Sequence, residues 1–183
     1  MDTKHRATPA ALRSRGLSLI ELAITLAVVA IVAASAAPSL ASLIDARRLD
    51  AAANELAADV QWVRTEAVAR NRPVRLSFHS SADASCWIVH TGAAAQCRCG
   101  SDATPVCAGD AIGIKSVLLV GAERVAVAAN VASIVFDPLH GTATPTGTLR
   151  LIDVHGRAVH HVVNIMGRVR SCTPSSLAGW RAC

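Results

Sequence analysis

RGLSLIE (residues 15–21) opens the segment that decides the fold, and an apolar run follows it over residues 22–37, up to Pro38. Glu21 is the one formally charged residue between positions 17 and 37. A helix over these positions would be about 30 Å long, which is the thickness of the hydrocarbon core of a bilayer. The sequence therefore predicts a transmembrane helix over residues 17–37.

Glu21 needs a partner, because an ionised carboxylate at mid-bilayer costs on the order of 2.5–3.5 kcal/mol. Cleavage of the chain after Gly16 would supply one, since Leu17 would then carry a free amine one helical turn away from Glu21. The alternative is an uncleaved signal anchor with Glu21 near the lipid headgroups. We favour the cleaved form.

Residues 1–16 form a basic flank with four Lys or Arg residues and one Asp. Such a flank predicts a cytoplasmic N-terminus and an exported remainder. A secretory signal of the usual kind is excluded, because the small residue at the cut precedes the apolar run. We therefore expect a leader peptide over residues 1–16, a single pass through the inner membrane, and a periplasmic body.

The charge is uneven along the chain. The whole sequence has a net charge of +5, and without residues 1–16 it has 14 basic and 12 acidic residues. Residues 17–140 carry a net charge of −2, whereas residues 141–183 carry +4. The basic part of the exported body is its C-terminal end.

An amphipathic helix is predicted beyond Pro38, because apolar residues recur at steps of four and three. The stripe consists of Leu49, Ala53, Leu56, Val60, Val63 and Ala67. The opposite, polar face is assigned Arg48, Asn54, Glu55, Asp59 and Glu66. Pro73 cannot continue a helix, so the helical region is predicted to span residues 17–72.

Short strands are predicted after Pro73, in a domain of residues 73–183. Their ranges are 74–79, 86–91, 112–120, 124–128, 133–137, 148–154 and 157–165. Residues 93–110 are expected to form an irregular loop, and Gly156 marks a hairpin turn. The predicted fold class is α+β, with one long N-terminal transmembrane and amphipathic helix packed on a C-terminal antiparallel β-sheet domain.

The chain has six cysteines, which in an exported protein suggest disulfides. Cys172 and Cys183 stand apart from the other four, at the C-terminal end, and are expected to pair with each other.

The remaining four cysteines leave two pairings open. Cys97 and Cys99 are too close for an easy mutual bridge, so each is expected to pair with Cys86 or Cys107. The alternative is a metal site built from Cys97, Cys99, Cys107 and a histidine. The paired ligand motif of a structural zinc site is missing, so we expect no metal.

Enzymatic activity is not expected. Four histidines and Asp153 fall in the last 44 residues: His140, His155, His160 and His161. No nucleophile elbow, Gly-rich phosphate loop or paired carboxylates accompany them. The sequence therefore predicts a protein without a catalytic site or a cofactor.

Gly167-Arg168-Val169-Arg170 is the best candidate for a binding function. On an extended chain, Arg168 and Arg170 would project from one face roughly 6.6–7 Å apart, which is close to two steps of a nucleic-acid strand. A guanidinium group can donate two hydrogen bonds to one phosphate. The alternative is a solubilising surface, or a set of partners for acidic groups on a neighbouring subunit. Other arginines could widen the patch: Arg150, Arg157 and Arg181.

The N-terminal segment resembles the processing site and first helix of type IV pilins and type II secretion pseudopilins. The resemblance lies in Arg15-Gly16, Glu21 as the fifth residue after the cut, and Pro38 as the twenty-second. It implies cleavage by prepilin peptidase between Gly16 and Leu17, methylation of the new N-terminus, and assembly with other pilins through the helix that holds Glu21 and Pro38. Leu17 stands at a position where Phe or Met is commoner in that family, a departure that concerns the efficiency of methylation more than the cleavage.

The rest of the chain resembles the globular domain shared by FimT-type minor pilins and GspH-type pseudopilins. The resemblance rests on Phe136, Gly141, Gly147-Thr148-Leu149 and residues 167–170. In the FimT-type branch, a C-terminal Gly-Arg-x-Arg implies capture of double-stranded DNA during natural transformation. In the GspH-type branch, the same domain implies a structural role in the secretion pseudopilus. From the sequence we favour the FimT-type function and keep the GspH-type function as the alternative.

Overall fold

A computed structural model describes residues 18–81 and 83–183. The predicted leader, Gly16 and Leu17 lie outside the described residues. The chain divides into two units, one ending at Leu40 and one comprising Ala41–Cys183.

Helix α1 spans Leu19–Arg70. It ends at a C-terminal cap in which Asn71 adopts a left-handed conformation with φ of 49°. The amide of Arg72 donates a hydrogen bond to the carbonyl of Ala67, which is the 6→1 hydrogen bond of a Schellman motif. Pro73 follows and cannot extend the helical hydrogen bonding. The helix therefore ends where the proline predicts.

The second unit is built on antiparallel strands. A five-stranded sheet has the order β5-β2-β1-β7-β8, a four-stranded sheet has the order β11-β10-β9-β6, and β3 pairs with β4. This arrangement confirms the predicted α+β class. The strands are β1 Val74–Ser80, β2 Ala84–His90, β3 Cys97–Cys99, β4 Pro105–Cys107, β5 Gly113–Val120, β6 Val125–Ala129, β7 Ser133–Phe136, β8 Ala143–Thr144, β9 Gly147–Asp153, β10 Ala158–Val163 and β11 Val169–Cys172.

The core of this unit lies between the helix and both sheets. All six residues of the predicted apolar stripe are fully buried, which confirms that prediction. They form one cluster with Leu76 and Trp87 of the five-stranded sheet and with Leu149 and Leu151 of the four-stranded sheet. Alternate residues of β9 are buried, so its other side chains face outward.

The placement of Asp59 on the polar face of the helix is wrong. Asp59 is 5% exposed, and its carboxylate accepts a hydrogen bond of 2.8 Å from Trp87 Nε1. Lys115 Nζ lies 2.7 Å from the other carboxylate oxygen. Because both oxygens have partners, the buried charge is tolerated. Asp59 thereby fastens α1 to strands β2 and β5.

The prediction of an irregular loop over residues 93–110 is wrong in part. A short 3₁₀ turn at Ala94–Gln96 leads into β3, and Cys97 lies opposite Cys107 in the β3–β4 pair. Strands of two or three residues are too short to show a period of two, which is why β3, β4 and β8 are missed as separate strands. The four-residue strand β11 is missed as well.

Candidate functional site

The first unit carries the apolar side chains predicted to enter a membrane. They are exposed, with Leu19 at 86% and Ile31 at 70% of their full accessible area. Helix α1 is long and apolar enough near the N-terminus to cross a membrane, by length and composition. Pro38 lies inside this helix, which continues past it.

The hydroxyl side chains between residues 18 and 40 form hydrogen bonds within the helix itself. Ser18 Oγ accepts a hydrogen bond of 3.2 Å from the amide of Glu21, which is an N-cap contact. The hydroxyls of Thr25, Ser35 and Ser39 each donate to a carbonyl three residues earlier, at 2.8–2.9 Å. Such internal pairing suits an apolar solvent, because a bilayer core offers no water to these groups. Glu21 is left as the one ionisable side chain between residues 18 and 40.

Two of the predicted DNA-binding arginines lie on the outward face of the four-stranded sheet. Arg150 on β9 pairs with His160 on β10, and Val162 on β10 pairs with Arg170 on β11. Both arginine side chains are exposed. The sheet therefore brings together two cations that are 20 positions apart in the sequence. We call the outward side of this sheet, with the adjoining Arg168 and Arg181, the arginine face.

The arginine face has little negative charge to oppose it. Asp153 is the one carboxylate in the four strands, and it is buried. Within residues 18–81 and 83–183, no ion pair includes an arginine of this face. Burial, together with the charge of Arg150, lowers the pKa of His160, so this imidazole is neutral near pH 7. Arg170 and Arg181 line an open groove of about 540 Å³ beside Cys172 and Cys183.

Arg168 and Arg170 do not both belong to a strand. Arg168 precedes β11, and its amide donates to Asn164 Oδ1 at 2.9 Å in the β10–β11 turn. Arg170 lies within the strand. The extended geometry that predicts a 6.6–7 Å spacing thus applies to the strand part of the motif only.

Gly167 has a structural role in this turn. Its φ is 69°, a conformation that favours glycine, and it is buried. A Cβ atom at this position would lie 3.0 Å from the carbonyl oxygen of Gly141 and 3.2 Å from Arg64 Cδ. The glycine lets the β10–β11 turn pack against the helix. Because Arg168 and Arg170 follow this turn directly, its packing determines where they lie on the sheet.

The assignment of Arg157 to the phosphate-binding patch needs correction. Its Nε donates a hydrogen bond of 2.6 Å to Asp153 Oδ2, and its Nη2 donates one of 3.1 Å to the carbonyl of Ser42. The side chain is 23% exposed. Arg157 is therefore engaged in holding the β9–β10 turn to the start of the helix in this unit.

A second buried carboxylate reinforces this attachment. Asp45 is 3% exposed and lies 2.9 Å from His155 Nε2 and 3.0 Å from Arg124 Nε. The hydrogen bond from His155, followed by the charge and hydrogen bond of Arg124, lowers the pKa of Asp45. Asp45 stands four residues before Leu49, so its helical spacing could have placed it on the buried stripe.

The C-terminal segment also returns to the helix. Trp180 Nε1 donates a hydrogen bond of 2.9 Å to Asp50 Oδ1. The Trp180 ring meets the ring of His161 edge-on, with centroids 6.0 Å apart. His161 is fully buried, and burial lowers its pKa to about 4. Sequence reasoning gave neither Trp180 nor His161 a role in packing, because their partners are distant along the chain.

The cysteines form three disulfides and none is free. One of the two pairings left open by the sequence is present, and Cys172 joins Cys183. With every sulfur bonded, the alternative metal site has no thiolate ligand. Among the described residues, no group of three or more His, Cys, Asp or Glu side chains is arranged to hold a metal ion. The pairs are Cys86–Cys99, Cys97–Cys107 and Cys172–Cys183.

One serine–histidine contact has the form of a catalytic pair. Ser77 Oγ lies 2.8 Å from His90 Nε2, and His90 Nδ1 lies 2.8 Å from the carbonyl of Thr91. Ser77 is 1% exposed and His90 is fully buried. A substrate could not reach this hydroxyl, so the contact serves to satisfy two polar groups in the core.

Comparison with known proteins shows the class of protein to which the chain belongs. A prokaryotic N-terminal methylation motif matches residues 12–37, which places the chain among proteins with a type IV pilin-like N-terminus. The family described as type II transport protein GspH matches residues 52–167, more than half of the chain. The chain therefore belongs to the GspH family.

A curated relative supports this assignment over a shorter stretch. The type II secretion system protein H of Xanthomonas campestris pv. campestris is 39% identical over 72 residues. The matched stretch is 39% of this chain and 43% of that relative. No solved structure matches.

Proposed function

We propose that the chain is a minor pseudopilin of a type II secretion apparatus, with a structural role in its filament. The observation that carries this proposal is the GspH family match over residues 52–167, downstream of an apolar helix that begins at a methylation motif. The Xanthomonas relative is a type II secretion system protein H, and this similarity supports a secretion system in particular. In this proposal residues 17–37 anchor the chain in the inner membrane, and residues 73–183 lie in the periplasm.

Prepilin peptidase is the first partner of the proposed pseudopilin. It would cut between Gly16 and Leu17, and the new amine of Leu17 would lie one turn from Glu21. In the filament, Glu21 would meet this amine or that of a neighbouring subunit, because a lone carboxylate among apolar side chains is costly. The exposed apolar side chains of the first unit would pack against the helices of other pseudopilins.

A complementation experiment tests the role in secretion. A strain that lacks the chain should regain export of its secreted enzymes with the wild-type chain but not with Glu21→Ala. The Arg168→Gln/Arg170→Gln chain should restore export fully, since its changes lie on the sheet surface. Normal export in the deletion strain would contradict the proposal.

DNA binding is the second candidate function, and the arginine face is the observation that favours it. Arg150, Arg168, Arg170 and Arg181 are exposed, and the adjacent strands have no exposed carboxylate. Arginine side chains that contact phosphates position a protein without reading bases, so weak binding of duplex DNA with little sequence preference is expected. A chain with this activity would be a minor pilin of the FimT type that acts in natural transformation.

The salt dependence of binding tests this second function. If Arg168 and Arg170 hold phosphates, the Arg168→Gln/Arg170→Gln chain should lower the log–log salt slope by about two. Arg72→Gln/Arg98→Gln is the matched control, because it removes the same charge from exposed arginines outside the four-stranded sheet. Equal salt slopes for the two double variants would exclude the arginine face as a DNA site. Uptake of labelled DNA by the complemented strains gives the corresponding test in cells.

A further inference from the structure

Two of the three disulfides are interleaved along the chain. Cys86 is bonded to Cys99, and Cys97, which lies between them, is bonded to Cys107. Each bond therefore closes a loop that contains one end of the other. The Cys172–Cys183 bond, in contrast, joins neighbouring cysteines in the sequence. We propose that the chain needs a reduced thiol–disulfide isomerase to acquire the interleaved pair, an inference that rests on the periplasmic location in the proposed function.

The order in which the cysteines are exported favours wrong bonds. An oxidising partner meets Cys86 and Cys97 before Cys99 and Cys107, because the chain crosses the membrane from its N-terminal side. Loop entropy does not oppose the bond between neighbours: closing the 11-residue step from Cys86 to Cys97 is roughly 1.3-fold more probable than closing the 13-residue step to Cys99. Consecutive oxidation therefore gives Cys86–Cys97 and Cys99–Cys107.

A chain with these wrong bonds cannot repair itself. The sequence has six cysteines, and all six are bonded in the folded protein. Once three bonds have formed in any pairing, no thiol remains on the chain. Disulfide exchange begins with attack by a thiolate, so the attacking thiolate has to come from another molecule. This requirement distinguishes the chain from one that has a spare cysteine.

The exchange needs no net oxidant or reductant. A thiolate of the isomerase attacks the sulfur of Cys86 in the Cys86–Cys97 bond, which forms a mixed disulfide and releases the Cys97 thiolate. The Cys97 thiolate attacks Cys107 and releases the thiolate of Cys99. The Cys99 thiolate then attacks Cys86 in the mixed disulfide and returns the isomerase thiolate. Two disulfides are present before and after these steps.

Folding gives the exchange its direction. Cys97 lies opposite Cys107 in the β3–β4 pair, whereas Cys99 lies opposite Pro105. A Cys99–Cys107 bond would therefore require a shift of this register. In the native pairing Cys86 is 4% and Cys97 is 2% exposed, so each completed bond has one buried cysteine, whereas their partners Cys99 and Cys107 are partly exposed. The isomerase would thus act on the unfolded chain, and folding would then restrict its access to one cysteine of each bond.

The position of Arg98 allows the pairing to be measured directly. Trypsin cuts after Arg98, between Cys97 and Cys99, and the neighbouring cleavage sites are Arg75 and Lys115. Consecutive bonds would each lie within one peptide, so two separate peptides would result. Interleaved bonds would join residues 76–98 to residues 99–115. Nonreducing digestion under denaturing conditions followed by mass spectrometry distinguishes the two products.

The full chain is expressed with its leader in two hosts that differ only in the periplasmic isomerase. In the host without isomerase, the joined peptide should decrease several-fold and the two separate peptides should appear. Cys172–Cys183 should form equally in both hosts. Two double variants serve as matched controls: Cys86→Ser/Cys99→Ser and Cys97→Ser/Cys107→Ser. Each retains one bond within residues 76–115 and Cys172–Cys183, so consecutive oxidation of its four cysteines gives the native bonds and its yield should not depend on the isomerase.

Three results would overturn the proposal. Equal amounts of the joined peptide in the two hosts, with Cys172–Cys183 formed, would show that no isomerase is needed while leaving the proposed function intact. Dependence of the two double variants on the isomerase would show that interleaving is not the cause. Six reduced cysteines in both hosts would contradict the exported location and therefore also the proposed function.

Discussion

Acidification should destabilise the second unit through His161. This side chain is fully buried, and its Nδ1 lies 2.8 Å from Ser171 Oγ. Its Nε2 has no hydrogen-bond partner among the described residues. Burial lowers its pKa from 6.5 to about 4, because the charged imidazolium would be cut off from water. Between these two values the unfolded chain binds a proton that the folded chain does not, so stability falls as the pH falls.

The pKa difference fixes the size of the effect. Each unit of pKa difference between the unfolded and folded states corresponds to about 1.4 kcal/mol of unfolding free energy. The pKa difference of His161 can therefore lower the unfolding free energy by at most about 3 kcal/mol, at a pH below both pKa values. Between pH 7 and pH 5 the loss in unfolding free energy from His161 should be about 2 kcal/mol. Burial also lowers the pKa of His90, which acts in the same direction. The comparison of wild type with His161→Leu isolates the share of His161.

Urea denaturation of Ala41–Cys183 at pH 7, 6 and 5, followed by tryptophan fluorescence, measures this loss. The His161→Leu variant should show a pH dependence that is smaller by about 2 kcal/mol over this range, whatever its stability at pH 7. His140→Leu is the control, because it makes the same substitution at an exposed histidine, whose side chain is 76% exposed. Identical pH dependence in wild type and His161→Leu would refute the burial argument.

Three further substitutions test the contacts of the helix with the rest of its unit, by the same denaturation measurement. Asp59→Ala should lower the unfolding free energy by about 2–4 kcal/mol, since it leaves the Trp87 N–H buried without a partner; Lys115 is partly exposed and can recover water. Glu55→Ala removes the exposed partner of the same lysine and should cost less than about 1 kcal/mol; similar costs for the two variants would contradict the role of Asp59. Trp180→Phe should cost about 1 kcal/mol through the lost hydrogen bond to Asp50, and an unchanged stability would mean that this bond does not hold the C-terminal segment.

The helix was the most predictable part of the fold. The apolar stripe from Leu49 to Ala67 is fully buried because its spacing follows the helical period, which depends only on nearby residues. Asp59 was misplaced because its chemical type was given more weight than its position. It stands three residues after Leu56 and four before Val63, a spacing that indicates the buried side.

The sheets were predictable in class but not in register. The arginine face depends on the register of β9, β10 and β11, which places Arg150 opposite His160 and Arg170 opposite Val162. This register brings together residues that are distant along the chain. Nothing in the local sequence indicates which rows meet. Arg157 was misassigned for the same reason, since its pairing with Asp153 and Ser42 depends on how the β9–β10 turn meets the helix.

The mass of the mature chain shows whether the leader is removed. As a pseudopilin, this member of the GspH family would be cut after Gly16 before it assembles. Mass spectrometry of the chain isolated from membranes of a strain that has prepilin peptidase should show an N-terminus at Leu17 carrying one methyl group, and Gly16→Ala should block the cut. A wild-type chain that retains residues 1–16 in that strain would contradict the account.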